Sequence, residues 1–302
     1  MSIINVVVVG GGVLGSQIAY QTAYAGFHTT IYLRSEASIE RARPKVDRLH
    51  AIYVAELTAA KANPGGPVSR GLVFNAADTA AVNYDELLAR AEKAYQELGY
   101  STDLAVAVND ADLIIEALAE DPKAKTAFYQ QLQPLLPEKT ILVTNSSTLL
   151  PSKFAKYTGR PEKVLALHFA NNIWSGNTAE VMGHDRTDPT VYDAAAKFAE
   201  DIGMIPLKLK KEKAGYILNS MLVPFLSSAQ ALLADGIADI ETIDKTWTLA
   251  TGAPMGPFRI LDVVGLTTAY NIVVTLPGAD DPSTTTGKIA KMLKEDYLDK
   301  GK

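Results

Sequence analysis

The 302-residue sequence contains no cysteine. Without thiols the chain forms neither disulfide bonds nor thiolate metal sites, and a cysteine nucleophile is excluded. Long apolar runs are also missing. No stretch approaches the ~20 apolar residues that a membrane-spanning helix needs. The apolar run at residues 3–9 has no basic segment before it, which argues against a secretory signal peptide. We therefore expect a cytoplasmic protein with no membrane partner.

Blocks of basic residues are absent as well. The net charge is −5, and no cluster of Lys and Arg is available to neutralise a phosphate backbone, so we expect no nucleic-acid partner. Hydrophobic residues make up 47% of the chain and charged residues 21%, as in ordinary globular proteins. Because single cores stop growing at about 250–300 residues, this length predicts two domains.

A glycine-rich turn stands near the N-terminus. It follows a run of mostly β-branched residues at 3–9 and precedes a segment of helical composition at 17–25. The spacing Gly10, Gly12, Gly15 allows a sharp turn, close approach to a pyrophosphate and close packing of helix on strand. We predict a dinucleotide bound at this helix N-terminus, against the three glycines and the neighbouring Val13 and Leu14.

The second predicted strand, at residues 28–33, does not end in the acidic residue that binds the ribose of NAD. Leu33 stands there, followed by Arg34 and Ser35. A guanidinium pairs with a phosphate, and no carboxylate repels it, so the pattern favours NADP(H), with NAD(H) as the other possibility. The alternative is that Arg34 is a surface residue and Leu33 only extends the strand.

Strand-like and helical segments alternate through the first two thirds of the chain. This predicts an α/β fold with a Rossmann-type doubly wound parallel sheet over residues 1–210, interrupted by a helical insertion at about 50–100. From Glu212 onward the sequence predicts helices alone, including 214–234 and 258–276, and hence an all-α C-terminal domain at 211–302. The apolar first helix of that domain predicts burial against a second copy, as in a homodimer.

Two groups of polar residues are candidates for chemistry. His168 lies in an apolar strand-like run, and Glu180 follows twelve residues later, so the two could form a general acid/base pair. The alternative is a histidine satisfied within the core. Asn145 and Ser147 follow the predicted strand 140–144, at the edge of the sheet where ligands bind, although such residues also cap helices.

Several motifs occur in the order and spacing of one family. They are GGGVLG at 10–15, EALAE at 116–120, NSSTLLPS at 145–152, ALHFANN at 166–172, AEVMG at 179–183 and GAPMGPF at 252–258. Over essentially its whole length the chain resembles the 3-hydroxyacyl-CoA dehydrogenase family. In HFANNIW and NTAEVMG it is most similar to a diketoreductase-type branch.

The resemblance implies a role for each matching residue. His168 matches the general acid/base, Glu180 the carboxylate that orients it, and Ser147 and Asn219 the groups that hydrogen-bond the reacting oxygen, one from each domain. The positions that line the nicotinamide half of the cofactor are Glu120, Lys125 and Asn171, and for Lys125 the alternative is a solvated helix lysine. The implied reaction interconverts a secondary alcohol and a ketone on a small carbonyl or alcohol substrate.

The chain departs from the family pattern at two places that bear on the substrate. The family's Asn-Pro is here Asn171-Asn172, followed by Ile173 and Trp174, which predicts a different wall of the substrate pocket. The insertion is acidic where relatives would meet the polyphosphate of CoA, although four basic residues on the preceding helix weaken this argument. The acidic residues are Glu56, Asp78, Asp85, Glu86, Glu92 and Glu97; the basic residues are Lys61, Arg70, Arg90 and Lys93, with Arg41, Arg43, Lys45 and Arg48 on the preceding helix.

We therefore expect a β-keto or 3-hydroxy acid or ester without CoA as the substrate. Two alternatives stay open at this point. The chain could be a true 3-hydroxybutyryl-CoA dehydrogenase, or a crystallin-like dinucleotide-binding protein without turnover.

Overall fold

The computed structural model describes residues 2–74 and 79–301. Asp78, one of the acidic residues of the predicted insertion, lies outside this range. The chain divides into two compact units, residues 1–216 and 217–302. The division follows Tyr216, a few residues beyond the boundary that we predicted near Lys210.

The first unit is built on an eight-stranded sheet. Its strands are β1 (Asn5–Val9), β2 (His28–Tyr32), β3 (Gly99–Ser101), β4 (Leu113–Glu116), β5 (Ile141–Thr144), β6 (Val164–Phe169), β7 (Thr178–Met182) and β8 (Ile205–Lys208). They lie in the order β3-β2-β1-β4-β5-β6-β7-β8, and every pair is parallel except β6 and β7. The predicted Rossmann-type α/β fold is confirmed.

The helices of the first unit connect these strands. They are α1 (Val13–Tyr24), α2 (Glu36–Ala62), α3 (Tyr84–Glu97), α4 (Leu104–Val108), α5 (Pro122–Leu132), α6 (Pro151–Ala155) and α7 (Pro189–Asp201). The helices α2 and α3 pack together and form most of the insertion. The helix α2 continues well past Arg48 because Leu49, Tyr53 and Leu57 keep a buried face at helical spacing.

The sheet has an apolar core on each face. Alternate residues of β1 enter different cores: Val6 and Val8 pack in one, and Val7 and Val9 in the other. A parallel strand that is covered on both sides needs such a continuous apolar run. This explains why the run before the glycine turn contains so few polar residues.

The described residues of the second unit form helices joined by turns, with no strand. Its helices are α8 (Leu218–Ala234), α9 (Ile240–Thr251), α10 (Pro257–Val264), α11 (Leu266–Val273) and α12 (Thr285–Met292). The predicted helix at 258–276 is two helices, because Gly265 between them has φ +90°. The predicted helix at 214–234 begins later, since Gly215 and Tyr216 have positive φ angles that a right-handed helix excludes. Among the described residues, no helix is long and apolar enough to cross a membrane.

Candidate active site

The glycine turn after β1 fits the pyrophosphate of a dinucleotide. Gly10 has φ +113°, and a Cβ on Gly15 would lie 2.2 Å from the carbonyl oxygen of Gly10, so helix and strand meet too closely for any side chain. A Cβ on Gly12 would meet no atom within 4 Å, which leaves open space in front of the N-terminus of α1. The first turn of α1 also has no acidic residue. These features match the requirements of the motif, which are a sharp turn, close approach of a pyrophosphate and close packing of helix on strand.

The turn also occupies the right place in the sheet. The strand β1 lies between β2 and β4, so the connections that leave β1 and β4 run to opposite sides. Ligands of doubly wound sheets bind in the crevice at this reversal of strand order. Leu14 is half-buried there, whereas Val13 is exposed.

The residues after β2 form an exposed group of hydroxyls and guanidiniums. Leu33 is buried, while Arg34 and Ser35 are exposed. Ser35 precedes the first residue of α2, and its Oγ lies 3.0 Å from Oγ of Ser38. Arg41 donates to that Ser38 hydroxyl at 2.8 Å, so a second guanidinium lies on the same turn. Guanidinium and hydroxyl groups of this kind can hydrogen-bond to a phosphate.

His168 and Glu180 face each other across two strands. They are paired in the antiparallel register of β6 and β7, which directs both side chains to the same face of the sheet. His168 Nδ1 lies 3.1 Å from Glu180 Oε2, and only 5% and 3% of the two residues is exposed. An ionised carboxylate only accepts hydrogen bonds, so the proton between them belongs to Nδ1. In that tautomer the other ring nitrogen, Nε2, carries no proton and can accept a hydrogen bond.

Ser147 completes this line of contacts. Its Oγ lies 3.1 Å from His168 Nε2, in the loop that follows β5. Since β5 and β6 are adjacent and parallel, the loop after β5 passes beside the end of β6. Glu180, His168 and Ser147 thus form one chain of hydrogen bonds that ends at a half-buried hydroxyl.

Glu120 fixes the start of the same loop. Its Oε1 accepts hydrogen bonds from the Ser146 hydroxyl and from both the backbone N–H and the hydroxyl of Thr148, each at 2.7 Å. Burial raises the pKa of Glu120, but the bonds from Ser146 and Thr148 outweigh it and lower the pKa below its ordinary value. Glu120 is therefore ionised, and it restrains the residues on either side of Ser147.

Lys125 lies in a buried network and is not the solvated lysine of the alternative interpretation. Its Nζ lies 2.6 Å from Glu116 Oε1, and both side chains are 0% exposed. The second oxygen of Glu116 accepts from Tyr129 at 2.8 Å and from Thr144 at 2.7 Å. Lys125 Nζ also lies 3.8 Å from Glu120. One buried positive charge thus stands between two carboxylates.

Asn145 and Asn171 take different environments. Asn145 accepts the backbone N–H of Phe169 at 3.0 Å and so ties the loop after β5 to β6. Asn171 is exposed beyond the end of β6. Asn219, the remaining predicted residue, lies in the first turn of α8 in the second unit.

We expected Asn172, with Ile173 and Trp174 after it, to change the wall of the substrate pocket. Ile173 and Trp174 are buried in the core of the first unit, and Trp174 Nε1 donates to Glu56 on α2 at 3.1 Å. The absence of the family's proline has a backbone reason. Asn172 has φ +57°, and its N–H donates to Gln17 Oε1 at 2.9 Å, neither of which proline permits.

Sequence reasoning missed two residues of this region. Glu116 is a carboxylate in the otherwise apolar strand β4, and this isolated charge is the signal that could have indicated it. Tyr216 stacks on His168, and only the preceding glycine hinted at an unusual backbone there. 

The sheet order and the glycine turn together define a Rossmann-type dinucleotide-binding protein. The family model described as the 3-hydroxyacyl-CoA dehydrogenase NAD binding domain matches residues 5–87 and 76–212, and that of the C-terminal domain matches residues 215–301. The chain therefore belongs to the 3-hydroxyacyl-CoA dehydrogenase family, and it is a nicotinamide-dependent oxidoreductase.

Several proteins resemble the chain over most of its length. A 3-hydroxybutyryl-CoA dehydrogenase of Clostridioides difficile is 28% identical over 96% of this chain and 94% of its own length. A mitochondrial hydroxyacyl-coenzyme A dehydrogenase of Rattus norvegicus is 33% identical over 89% of this chain and 78% of its own. The solved structure of a diketoreductase that acts on dicarbonyl compounds has a TM-score of 0.83 and 50% identity, and it covers 100% of this chain and 95% of that one.

Proposed function

We propose that the chain interconverts a secondary alcohol and a ketone, with His168 as the group that transfers the proton. The observation that carries this proposal is the hydrogen-bonded line from Glu180 through His168 to Ser147. A bound nicotinamide supplies or accepts a hydride at the carbinol carbon. The substrate oxygen, placed against Nε2 and the Ser147 hydroxyl, exchanges its proton with the imidazole and receives a hydrogen bond from the serine as charge develops on it.

Glu180 serves this chemistry without touching the substrate. Its negative charge lies on the far nitrogen of the ring, where it fixes the tautomer and stabilises the imidazolium that forms when Nε2 takes a proton. Glu120, by holding Ser146 and Thr148, keeps the Ser147 hydroxyl in reach of the imidazole. In this scheme Glu120, Lys125, Asn145 and Asn171 border the nicotinamide end of the cofactor.

We further propose that the substrate is a β-keto or 3-hydroxy acid or ester without CoA. The 50% identity with the diketoreductase, against 28% for the 3-hydroxybutyryl-CoA dehydrogenase, supports this substrate class. Ion pairs within the insertion support it too, because Lys61, Arg90 and Lys93 are engaged with acidic neighbours. A diphosphate would have to compete with those carboxylates.

A panel of substrates tests both proposals. We expect the kcat/KM for a simple β-keto ester or β-diketone to exceed that for acetoacetyl-CoA at least about ten-fold, a difference of roughly 1.4 kcal/mol. The measurement is the loss of absorbance of the reduced cofactor. A preference for acetoacetyl-CoA would replace the substrate proposal by a 3-hydroxybutyryl-CoA dehydrogenase. Turnover of neither class, with cofactor still bound, would instead indicate the non-catalytic binder.

For the cofactor we propose NADP(H). The group of Arg34, Ser35, Ser38 and Arg41 supports a 2′-phosphate, whereas buried Leu33 offers the ribose no acceptor. The negative charge of Glu36, next to Ser35, opposes a phosphate at this position. Its carboxylate accepts a hydrogen bond from the Thr102 hydroxyl at 3.4 Å. NAD(H) remains the alternative cofactor.

Replacing Arg34 tests the cofactor proposal. We expect Arg34→Ala to raise the KM for NADPH about ten-fold or more and to leave the KM for NADH unchanged, since a charge-assisted bond is worth roughly 1.5–3 kcal/mol. Arg186→Ala, at an exposed arginine between β7 and α7, is the matched control and should change neither value. Equal use of both cofactors by the wild type would contradict the proposal.

We also propose a homodimer formed through the second unit. Large apolar side chains are exposed on its helices, with Met221 63%, Leu249 75% and Val263 60% exposed. Large apolar side chains left exposed on a helical unit of this size support an interface between copies.

A further inference from the structure

Tyr216 covers one face of the His168 imidazole. The two rings are parallel within 8°, and their centroids are 4.3 Å apart. Tyr216 is only 1% exposed and packs with Ala166 and Met182, the apolar neighbours of His168 and Glu180 on that face of the sheet. The tyrosine ring therefore fixes the plane of the imidazole. Glu180 and Ser147, bonded to Nδ1 and Nε2, fix its orientation within that plane.

The tyrosine hydroxyl is hydrogen-bonded to the loop that follows β5. It donates to the carbonyl of Ser146 at 2.7 Å, and the backbone N–H of Gly215 donates to the carbonyl of Ser147 at 3.0 Å. The Ser146 N–H and hydroxyl are also bonded, to Thr144 and Glu120. Tyr216 thus supplies the bond that fixes the peptide group between Ser146 and Ser147.

The backbone conformation makes this arrangement costly. Tyr216 has φ +51°, in the left-handed region that a non-glycine residue occupies only at a cost in free energy. Strain of this kind persists when the surrounding contacts determine the conformation, and it is concentrated at functional sites. Here the ring stack and the hydroxyl bond are those contacts.

We propose that Tyr216 is a positioning residue that holds the imidazole of His168 and the hydroxyl of Ser147 in one line. This inference rests on the proposed role of His168 in proton transfer. Tyr216 takes no proton itself: its hydroxyl is used on Ser146, and burial raises its pKa far above the ordinary value, so it stays protonated.

Two substitutions separate the ring from the hydroxyl. Tyr216→Phe keeps the stack and removes the bond to Ser146, whereas Tyr216→Leu removes both; neither side chain is β-branched, so the backbone strain is matched. We expect the leucine variant to lose roughly ten- to a hundred-fold in kcat, the cost of a misplaced reacting group, with the cofactor dissociation constant unchanged. The phenylalanine variant should lose less than the leucine variant.

A second measurement needs no turnover. Protons above an aromatic face resonate upfield, so the ring signals of His168 should be shifted upfield in the wild type and in Tyr216→Phe, and should lose that shift in Tyr216→Leu. They are identified by their absence in His168→Gln. His28 and His184 serve as internal controls, whereas His50 is stacked on Tyr95 and should keep its own shift in every variant. Tyr216→Met replaces the leucine variant if that variant is unstable.

The outcomes are distinct. Unchanged kcat in a leucine or methionine variant that has lost the upfield shift would overturn the positioning role, as would a wild type without that shift. Full activity of His168→Gln would instead overturn the proposed function, whatever the spectra of the Tyr216 variants show.

Discussion

Replacing His168 by glutamine is expected to lower kcat by about 10²–10⁴-fold, the usual contribution of a general acid/base. The dissociation constant of the cofactor should stay nearly unchanged, because the glycine turn and the residues after β2 lie on other strands of the sheet. Both quantities are measured on the same preparation, kcat by cofactor absorbance and binding by titration.

The control is His28→Gln, at an exposed histidine at the start of β2, which should keep full activity. If His168→Gln retained more than about a tenth of the wild-type rate, the imidazole could not be the proton-transfer group. A matched loss in Glu180→Gln is expected from the same geometry, because an amide no longer stabilises the imidazolium.

Breaking the buried pair of Lys125 and Glu116 is expected to destabilise the first unit by about 3–5 kcal/mol. In Glu116→Gln, Lys125 keeps only the more distant carboxylate of Glu120. In Lys125→Met, the buried carboxylate of Glu116 keeps the hydrogen bonds from Tyr129 and Thr144 but has lost its positive partner. For a unit of this size the loss corresponds to a Tm lower by roughly 6–20 °C, measured by calorimetry without cofactor.

The double variant of Glu116→Gln and Lys125→Met should lose less than the sum of the single variants, since no uncompensated charge remains. Lys208→Met is the matched control, because the pair of Lys208 and Asp193 has side chains 52% and 72% exposed and should contribute less than about 1 kcal/mol. Additive losses in the double variant would show that the two side chains do not act as a pair.

The sequence predicted most strands of the sheet, and it missed β3, β7 and α4. The strand β3 has only three residues, all half-buried, so it carries no alternation to detect. Helix breaks in the second unit depend on the φ angle of Gly265, which composition does not reveal. Local patterns thus indicate which segments are buried, whereas the backbone conformation of single residues is determined by tertiary packing.

Within the candidate site, motifs indicated His168, Glu180 and Ser147 but not the residues that support them. Tyr216 and Glu116 reach the site through contacts between distant segments, with Tyr216 donating to a residue 70 positions earlier in the chain. Trp174 was expected to bear on the pocket wall because its position follows a site motif. Its burial against the insertion could be known only from the packing of α2.

The pairing of β6 with β7 determines which side chains lie opposite each other on both faces of the sheet. Leu167 and Val181 are partners on the core face, and His168 and Glu180 are partners on the other. Because side chains alternate, a shift of one residue would bring Ala179 or Val181 opposite His168 and expose apolar side chains that the core now buries. The apolar packing that fixes the register of these strands therefore also fixes Glu180 beside His168.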